Sequence, residues 1–159
     1  MPSPKRRFLF DRMLGRLAAK MRMLGYDSEL CAEGESGRFL LNALRDGRTA
    51  VTRSRARGDR PGPPPIVLRS EETLDQIAEL FAALGEPPRF EPFTRCLECN
   101  ALLETMPVDE AREAVPPHVV ASFSEYHRCP SCARVFWKGT HWNAMADEVK
   151  RIEDRLKTI

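Results

Sequence analysis

Four of the five cysteines in this chain fall into two Cys-x-x-Cys pairs, Cys96-Leu97-Glu98-Cys99 and Cys129-Pro130-Ser131-Cys132, with 29 residues between them. Each tight turn presents two thiolates to one ion, and two such turns complete the four-sulfur tetrahedral shell of a structural zinc, with Zn–S of about 2.3 Å. One pair alone suits a redox dithiol equally well, whereas two pairs in a chain of 159 residues specify a metal. Two disulfides are the competing reading, and nothing in the sequence points to the secretory route that favours them. His118, His127 and His141 also carry metal-binding nitrogens, but with four thiolates to hand they are expected at the surface or in packing. The fifth cysteine, Cys31, suits a small buried hydrophobe on a strand and is assigned no chemistry.

A second constellation centres on Asp11. It follows the apolar run Arg7-Phe8-Leu9-Phe10, so its side chain suits a helix N-cap. A carboxylate at the end of a first strand is also where a magnesium or manganese ion assembles for phosphodiester hydrolysis, provided other acids converge on it. Trp137-Lys138-Gly139-Thr140-His141-Trp142 sets two aromatics beside polar donors, a composition that stacks a base and holds a phosphate. The reading favoured here is plainer: the two tryptophans pack the cysteine module onto the last helix.

These residues need elements to position them. Arg7–Phe10 reads as a strand and is followed by a helix whose buried stripe is Leu14, Leu17, Ala18, Met21 and Leu24. Arg12, Arg16 and Lys20 recur every four residues on another face, and Gly25 ends the helix. Tyr26–Cys31 reads as a second strand, 38–45 as a helix, 48–52 as a third strand and 66–68 as a fourth. Ser70 is expected to cap the next helix, whose apolar face is Leu74, Ile77, Leu80, Phe81 and Leu84. Strands alternating with helices argue for an α/β layer with a largely parallel sheet. Asp11, the Glu33-to-Ser36 loop and the Arg53-Ser54 corner then meet at the carboxyl ends of the strands, where such sheets bind ligands. Glu86-Pro87-Pro88 marks a boundary, giving an α/β domain over 1–88 and a zinc ribbon with a C-terminal helix over 89–159. In that second part a short helix from Pro107 is expected to end at Pro116-Pro117, and a hairpin flanks the second cysteine pair. Trp142, Met145, Val149, Ile152 and Leu156 form the inner face of the last helix.

Composition is 42% hydrophobic and 30% charged, which supports a core and excludes a membrane span. The basic amino terminus has only Phe8-Leu9-Phe10 behind it, too short for a signal-peptide core, so a cytoplasmic location and no membrane partner are expected. Net charge is +2, but residues 1–70 hold 15 Lys and Arg against 7 Asp and Glu, and the remainder 10 against 16. The basic part, with Arg53, Arg55, Arg57 and Arg60 in one loop, suits a polyanion such as nucleic acid.

The segments Phe10-Asp11-Arg12-Met13-Leu14-Gly15-Arg16-Leu17, Leu24-Gly25-Tyr26-Asp27, Thr52-Arg53, Phe93-Thr94-Arg95-Cys96-Leu97-Glu98-Cys99-Asn100 and Arg128-Cys129-Pro130-Ser131-Cys132, with Trp137 to Trp142, together resemble the Mut-seven C-terminal domain family. That resemblance implies a PIN-like α/β fold joined to a zinc ribbon, a ribonuclease class and a link to RNA. It makes Asp11 the first acid of the site, sets Glu35 near a second acidic position and makes the four cysteines the zinc ligands. The family's third strand ends Thr-Arg-Asp, where this chain has Thr52-Arg53-Ser54, a full negative charge fewer; Asp59 is a further acid nearby in sequence.

The expectation is therefore an RNA-binding protein, engaging single-stranded or structured RNA through Arg12, Arg16, Lys20, Arg53, Arg55, Arg57 and Arg60. Its catalytic acids are Asp11 and Glu35, its structural zinc sits on Cys96, Cys99, Cys129 and Cys132, and its hydrolysis is weak or lost. The alternatives are an active divalent-metal-dependent endoribonuclease, with magnesium or manganese at Asp11, and a protein-interaction module whose acidic half docks a protein partner.

Overall fold

A computed structural model describes residues 4–32, 36–55 and 62–159. Strand β1 (Arg7–Phe10) passes through a 3-10 turn at Arg12–Leu14 into α1 (Gly15–Met23). Then come β2 (Asp27–Leu30), a 3-10 turn at Ser36–Arg38, α2 (Phe39–Arg45), β3 (Thr49–Thr52), β4 (Ile66–Val67) and α3 (Thr73–Leu84). The later part contains β5 (Glu104–Met106), α4 (Val108–Ala114), α5 (Pro117–Ser122), β6 (Tyr126–Arg128), β7 (Val135–Phe136) and α6 (Thr140–Lys157).

The first four strands form one parallel sheet in the order β2-β1-β3-β4, as the alternation of strands and helices requires. Its side chains alternate between two covered faces. Phe8, Phe10 and Val51 point into a core with Leu17, Met21, Ile77, Leu80, Val149 and Ile152, contributed by α1, α3 and α6. Leu9 and Ala50 point the other way, onto Phe39 and Ala43 of α2, with Cys31 buried beside them as a small hydrophobe. Burial on both faces explains why β1 reads as continuous apolar sequence. The last helix thus completes the core of the first sheet, tied further by Lys20–Glu148 at 2.5 Å and Arg155–Asp75 at 3.2 Å.

Gly25 is required twice over at the end of α1. Its φ of 86° is left-handed, and a Cβ there would lie 2.2 Å from the Glu91 carbonyl oxygen. The segment after α3 runs that close because Glu91 and Phe93 donate their N–H groups to Leu24 and Met23 carbonyls, each at 3.0 Å.

One sequence expectation is corrected and two are extended. Ser70 does not cap α3, whose N-cap is Glu72; the Ser70 hydroxyl instead donates to Glu79, which also accepts the Arg69 and Ser70 N–H groups at 2.8 and 2.9 Å. Pro116-Pro117 ends α4 but also opens α5, because a proline at the first helical position has no N–H to leave unpaired. The expected hairpin β6-β7 gains a third strand, β5, pairing antiparallel with β6.

Candidate functional site: a four-cysteine metal centre and the carboxyl edge of the sheet

The two cysteine turns repeat one backbone design. Cys96 N–H donates to the Ala101 carbonyl and Cys129 N–H to that of Arg134, both at 2.9 Å, while Asn100 and Ala133 donate back to the Cys96 and Cys129 carbonyls at 2.9 Å. Asn100 and Ala133 both take left-handed backbone, with φ of 64° and 60°. This brings the four sulfur atoms within 4.8 Å of one another, with Cys96 and Cys132 at 3.8 Å and none of the four in a disulfide. Sulfurs at the corners of a tetrahedron with metal–sulfur bonds of about 2.3 Å stand about 3.8 Å apart, so the donor set fits a single ion.

The thiols respond to their crowding in opposite directions. A hydrogen bond with Cys132 pushes Cys99 up to about 11, and burial pushes Cys96 up. Burial acts upward on Cys129 as well, but backbone N–H groups of Cys132 and Ser131 outweigh it and bring that thiol to about 7. Four thiols this close resist losing their protons together, and a central dication removes the conflict by holding all four as thiolates. Among the described residues this quartet is the group of three or more His, Cys, Asp or Glu that converges on one point.

The first cysteine turn is bolted to the amino edge of the sheet. Arg22 of α1 donates from Nη1 to the Leu97 and Glu98 carbonyls at 2.7 and 3.0 Å, and from Nε to the Ser28 carbonyl at 2.7 Å. Asn100 accepts the Ser28 N–H at 2.9 Å and donates to Asp27 at 2.7 Å, closing the open side of the edge strand β2. Asp27 also accepts from Arg48 at 2.6 Å and Arg7 at 3.2 Å. Burial pushes the Asp27 carboxyl up, but the hydrogen bonds from Arg48, Asn100 and Arg7 prevail and hold it at about 2. Arg48 reaches across three strands, bonding the Phe8 carbonyl and Glu29 besides Asp27.

At the opposite edge, β1 leads to β2 on one side while β3 lies on the other, so the crevice between their carboxyl ends is a topological switch point. Asp11 stands there. Its Oδ1 accepts the Met13 N–H at 2.8 Å, so the expected cap closes the 3-10 turn that leads into α1, whose own N-cap is Leu14, and its Oδ2 accepts the Thr52 hydroxyl and the Arg53 N–H at 3.2 Å. Ser54 shares the corner, its N–H donating to Thr52 Oγ1 at 2.9 Å. Pairing of β1 with β3 therefore brings Asp11, Arg53 and Ser54 together, as the strand reading requires. Glu35, Asp59, Arg57 and Arg60 lie outside the described residues.

The basic residues divide by what holds them. Arg12, in the 3-10 turn, and Arg16 and Arg55 are exposed. Lys20 is committed to Glu148 of α6, and Arg53 pairs with Glu71 at 3.2 Å. Sequence reasoning missed Arg22, Arg48 and Asn100. For Asn100 a signal existed: asparagine tolerates left-handed backbone, and the residue after a Cys-x-x-Cys turn takes that conformation here.

Fold and site together define a parallel α/β protein braced by a four-cysteine metal module. The family model of the Mut7-C RNAse domain matches residues 6–149, spanning the sheet, both cysteine turns and most of α6, and the chain belongs to that family. No curated protein and no solved structure matches it. No helix among the described residues is long and apolar enough to cross a membrane.

Proposed function

We propose that this chain binds RNA along the carboxyl edge of its sheet and cleaves it slowly or not at all. The observation that carries the reading is the state of Asp11. Its carboxylate is taken by three neutral donors, the neighbouring Ser54 brings no charge, and no cluster of three or more potential ligands forms around it among the described residues. A magnesium or manganese ion held for hydrolysis needs several oxygen ligands with charge among them. Membership of an RNase family supports RNA as the polyanion, and the exposed Arg12, Arg16 and Arg55, with Arg53, Arg57 and Arg60, supply cations for phosphates. Lys20 is a weaker contributor, since Glu148 already neutralises it.

The metal of the four cysteines is zinc in this reading, closed and structural, held by Cys96, Cys99, Cys129 and Cys132. It keeps the ribbon of residues 89–159 folded against the PIN-like part over 1–88 and takes no part in chemistry.

The test measures affinity for single-stranded RNA against salt, and cleavage with manganese, in wild type and Ser54→Asp. Each phosphate neutralised contributes about −0.7 to the slope of log affinity on log salt. Binding is expected to be steeply salt-dependent, shallower when Arg53, Arg55 and Arg57 are changed to Ala, and Ser54→Asp is expected to tighten manganese binding. Rapid manganese-dependent cleavage by wild type, lost in Asp11→Asn, would replace this reading with an active endoribonuclease completed by Glu35 or Asp59.

A further inference from the structure

Where the ribbon meets the amino end of α6, a cleft of about 380 Å³ opens between them. Both tryptophans of the chain line it, with Phe93 and Phe136. The favoured packing role is only half of what they do. Trp137 leans on the ribbon core and Phe93 on the core of the parallel sheet, yet each leaves part of its surface in the cleft. Phe93 and Trp142 lie with ring centroids 5.1 Å apart and planes at 45°, and Phe93 is held in this place by a left-handed backbone, φ 64°.

The polar lining is specific in charge. Lys138 stands 5.5 Å from the centre of the Trp142 ring and 3.1 Å from Glu125, the acid of the lining. Arg95, also in the lining, donates from Nη1 to the Asn100 carbonyl at 2.7 Å. Its Nε is buried with no hydrogen-bond partner among the described residues. That Nε is closed off from the cleft, so Arg95 offers an incoming anionic oxygen the charge of its guanidinium and not this atom. His127 adds a ring with both donor and acceptor character.

We infer that this cleft holds an unstacked nucleobase of single-stranded RNA, stacked against Trp142 and Phe93, with its phosphate directed to Arg95 and Lys138. Flat apolar walls suit the base, the two cations outnumber Glu125 and suit the phosphodiester, and Glu125 can accept from an exocyclic amine. The volume falls within the range that encloses a small ligand. Leu97 of the lining accepts from Arg22 of α1 at 2.7 Å through its carbonyl, so the cleft lies beside the basic helix α1. This inference rests on the RNA-binding reading above and adds a second contact to it, on the opposite side of the boundary at residue 88.

Because Trp137 and Trp142 are the chain's two tryptophans and both line the cleft, its intrinsic tryptophan fluorescence reports on this site alone. The metal-loaded full chain is titrated with hexaadenylate, with ribose 5-phosphate as the base-free control, while fluorescence anisotropy of labelled hexaadenylate measures binding independently. Saturable quenching by hexaadenylate and none by ribose 5-phosphate is expected. Trp142→Ala is expected to weaken binding about tenfold, with Trp142→Phe restoring most of it. Lys138→Glu changes an exposed side chain without touching the core, so it tests the site even where Trp142→Ala fails to fold, and it is expected to weaken binding several-fold. Hexaadenylate that binds by anisotropy, leaves tryptophan fluorescence unchanged and tolerates Lys138→Glu would overturn the cleft site while the carboxyl-edge reading stands. Absence of binding in both readouts would remove both. Quenching by an uncharged apolar peptide but not by RNA would make the cleft a protein-docking groove instead.

Discussion

The two edges of the parallel sheet handle charge in opposite ways. At the amino edge Arg48, its side chain 4% exposed, is matched to the mostly buried Asp27 and to the half-exposed Glu29, and Asp27 is matched again by Arg7. At the carboxyl edge Asp11 is satisfied by a hydroxyl and two backbone N–H groups, and Arg53 pairs with a Glu71 side chain that is 83% exposed. Ionic partners sequestered from water are expensive to separate, whereas an exposed pair contributes little and exchanges readily with an incoming ion. The amino edge thus holds its charges in fixed pairs, whereas the Arg53–Glu71 pair at the carboxyl edge exchanges readily.

The largest effect that tests this contrast comes from the metal centre. Zinc binding in small modules amounts to on the order of 10–16 kcal/mol, so Cys96→Ser is expected to unfold the ribbon. It should also release Asn100 and expose the Ser28 amide, which hydrogen exchange at that residue will show; an unchanged Ser28 amide would mean that the edge stands without the ribbon. Next in size is Arg48→Met, which removes the bonds to Asp27, Glu29 and the Phe8 carbonyl while Asp27 keeps Arg7 and Asn100, and is expected to cost about 2–3 kcal/mol in chemical denaturation. Asp11→Ala removes a cap and should cost about 1–2 kcal/mol. Equal losses for these two variants would erase the distinction between the edges. The smallest effect is on pH. With its carboxyl held at about 2 instead of 3.8, Asp27 contributes its full stabilisation above pH of about 4 and loses it as pH falls through about 2. Arg48→Met should flatten that segment of an acid-unfolding curve; a curve identical to wild type would place the acid sensitivity elsewhere.

What the sequence disclosed follows from how local each signal is. β1, the stripe Leu14, Leu17, Ala18, Met21 and Leu24, and the face of α6 are periodic within their own elements, and all five stripe residues are buried. The cysteine turns are legible because ligand spacing is itself a local pattern. Arg48 shows the limit. Read in sequence it is one more cation of the basic half, and only the register that sets Phe8 between Ser28 and Thr49 carries it to Asp27, 21 residues earlier. β5 escaped because Glu104-Thr105-Met106 is three residues long and has one buried side chain, too little for alternation to appear. Ser70 misled because a serine before two glutamates imitates a cap, while Glu79 outcompetes that role from within α3.

Asn100 closes the edge of a strand made 72 residues before it. A chain growing from its amino terminus therefore presents β2 with an unanswered N–H while α3 and the first cysteine turn are still to be made, and a bare strand edge is a template for pairing with other chains. Cys129 and Cys132 come later still, so the ion can be enclosed only after most of the chain exists. In the proposed reading, metal capture is then the closing step of maturation, and scarcity of the ion is expected to surface first as aggregation of newly made chains, ahead of any loss of the proposed RNA binding.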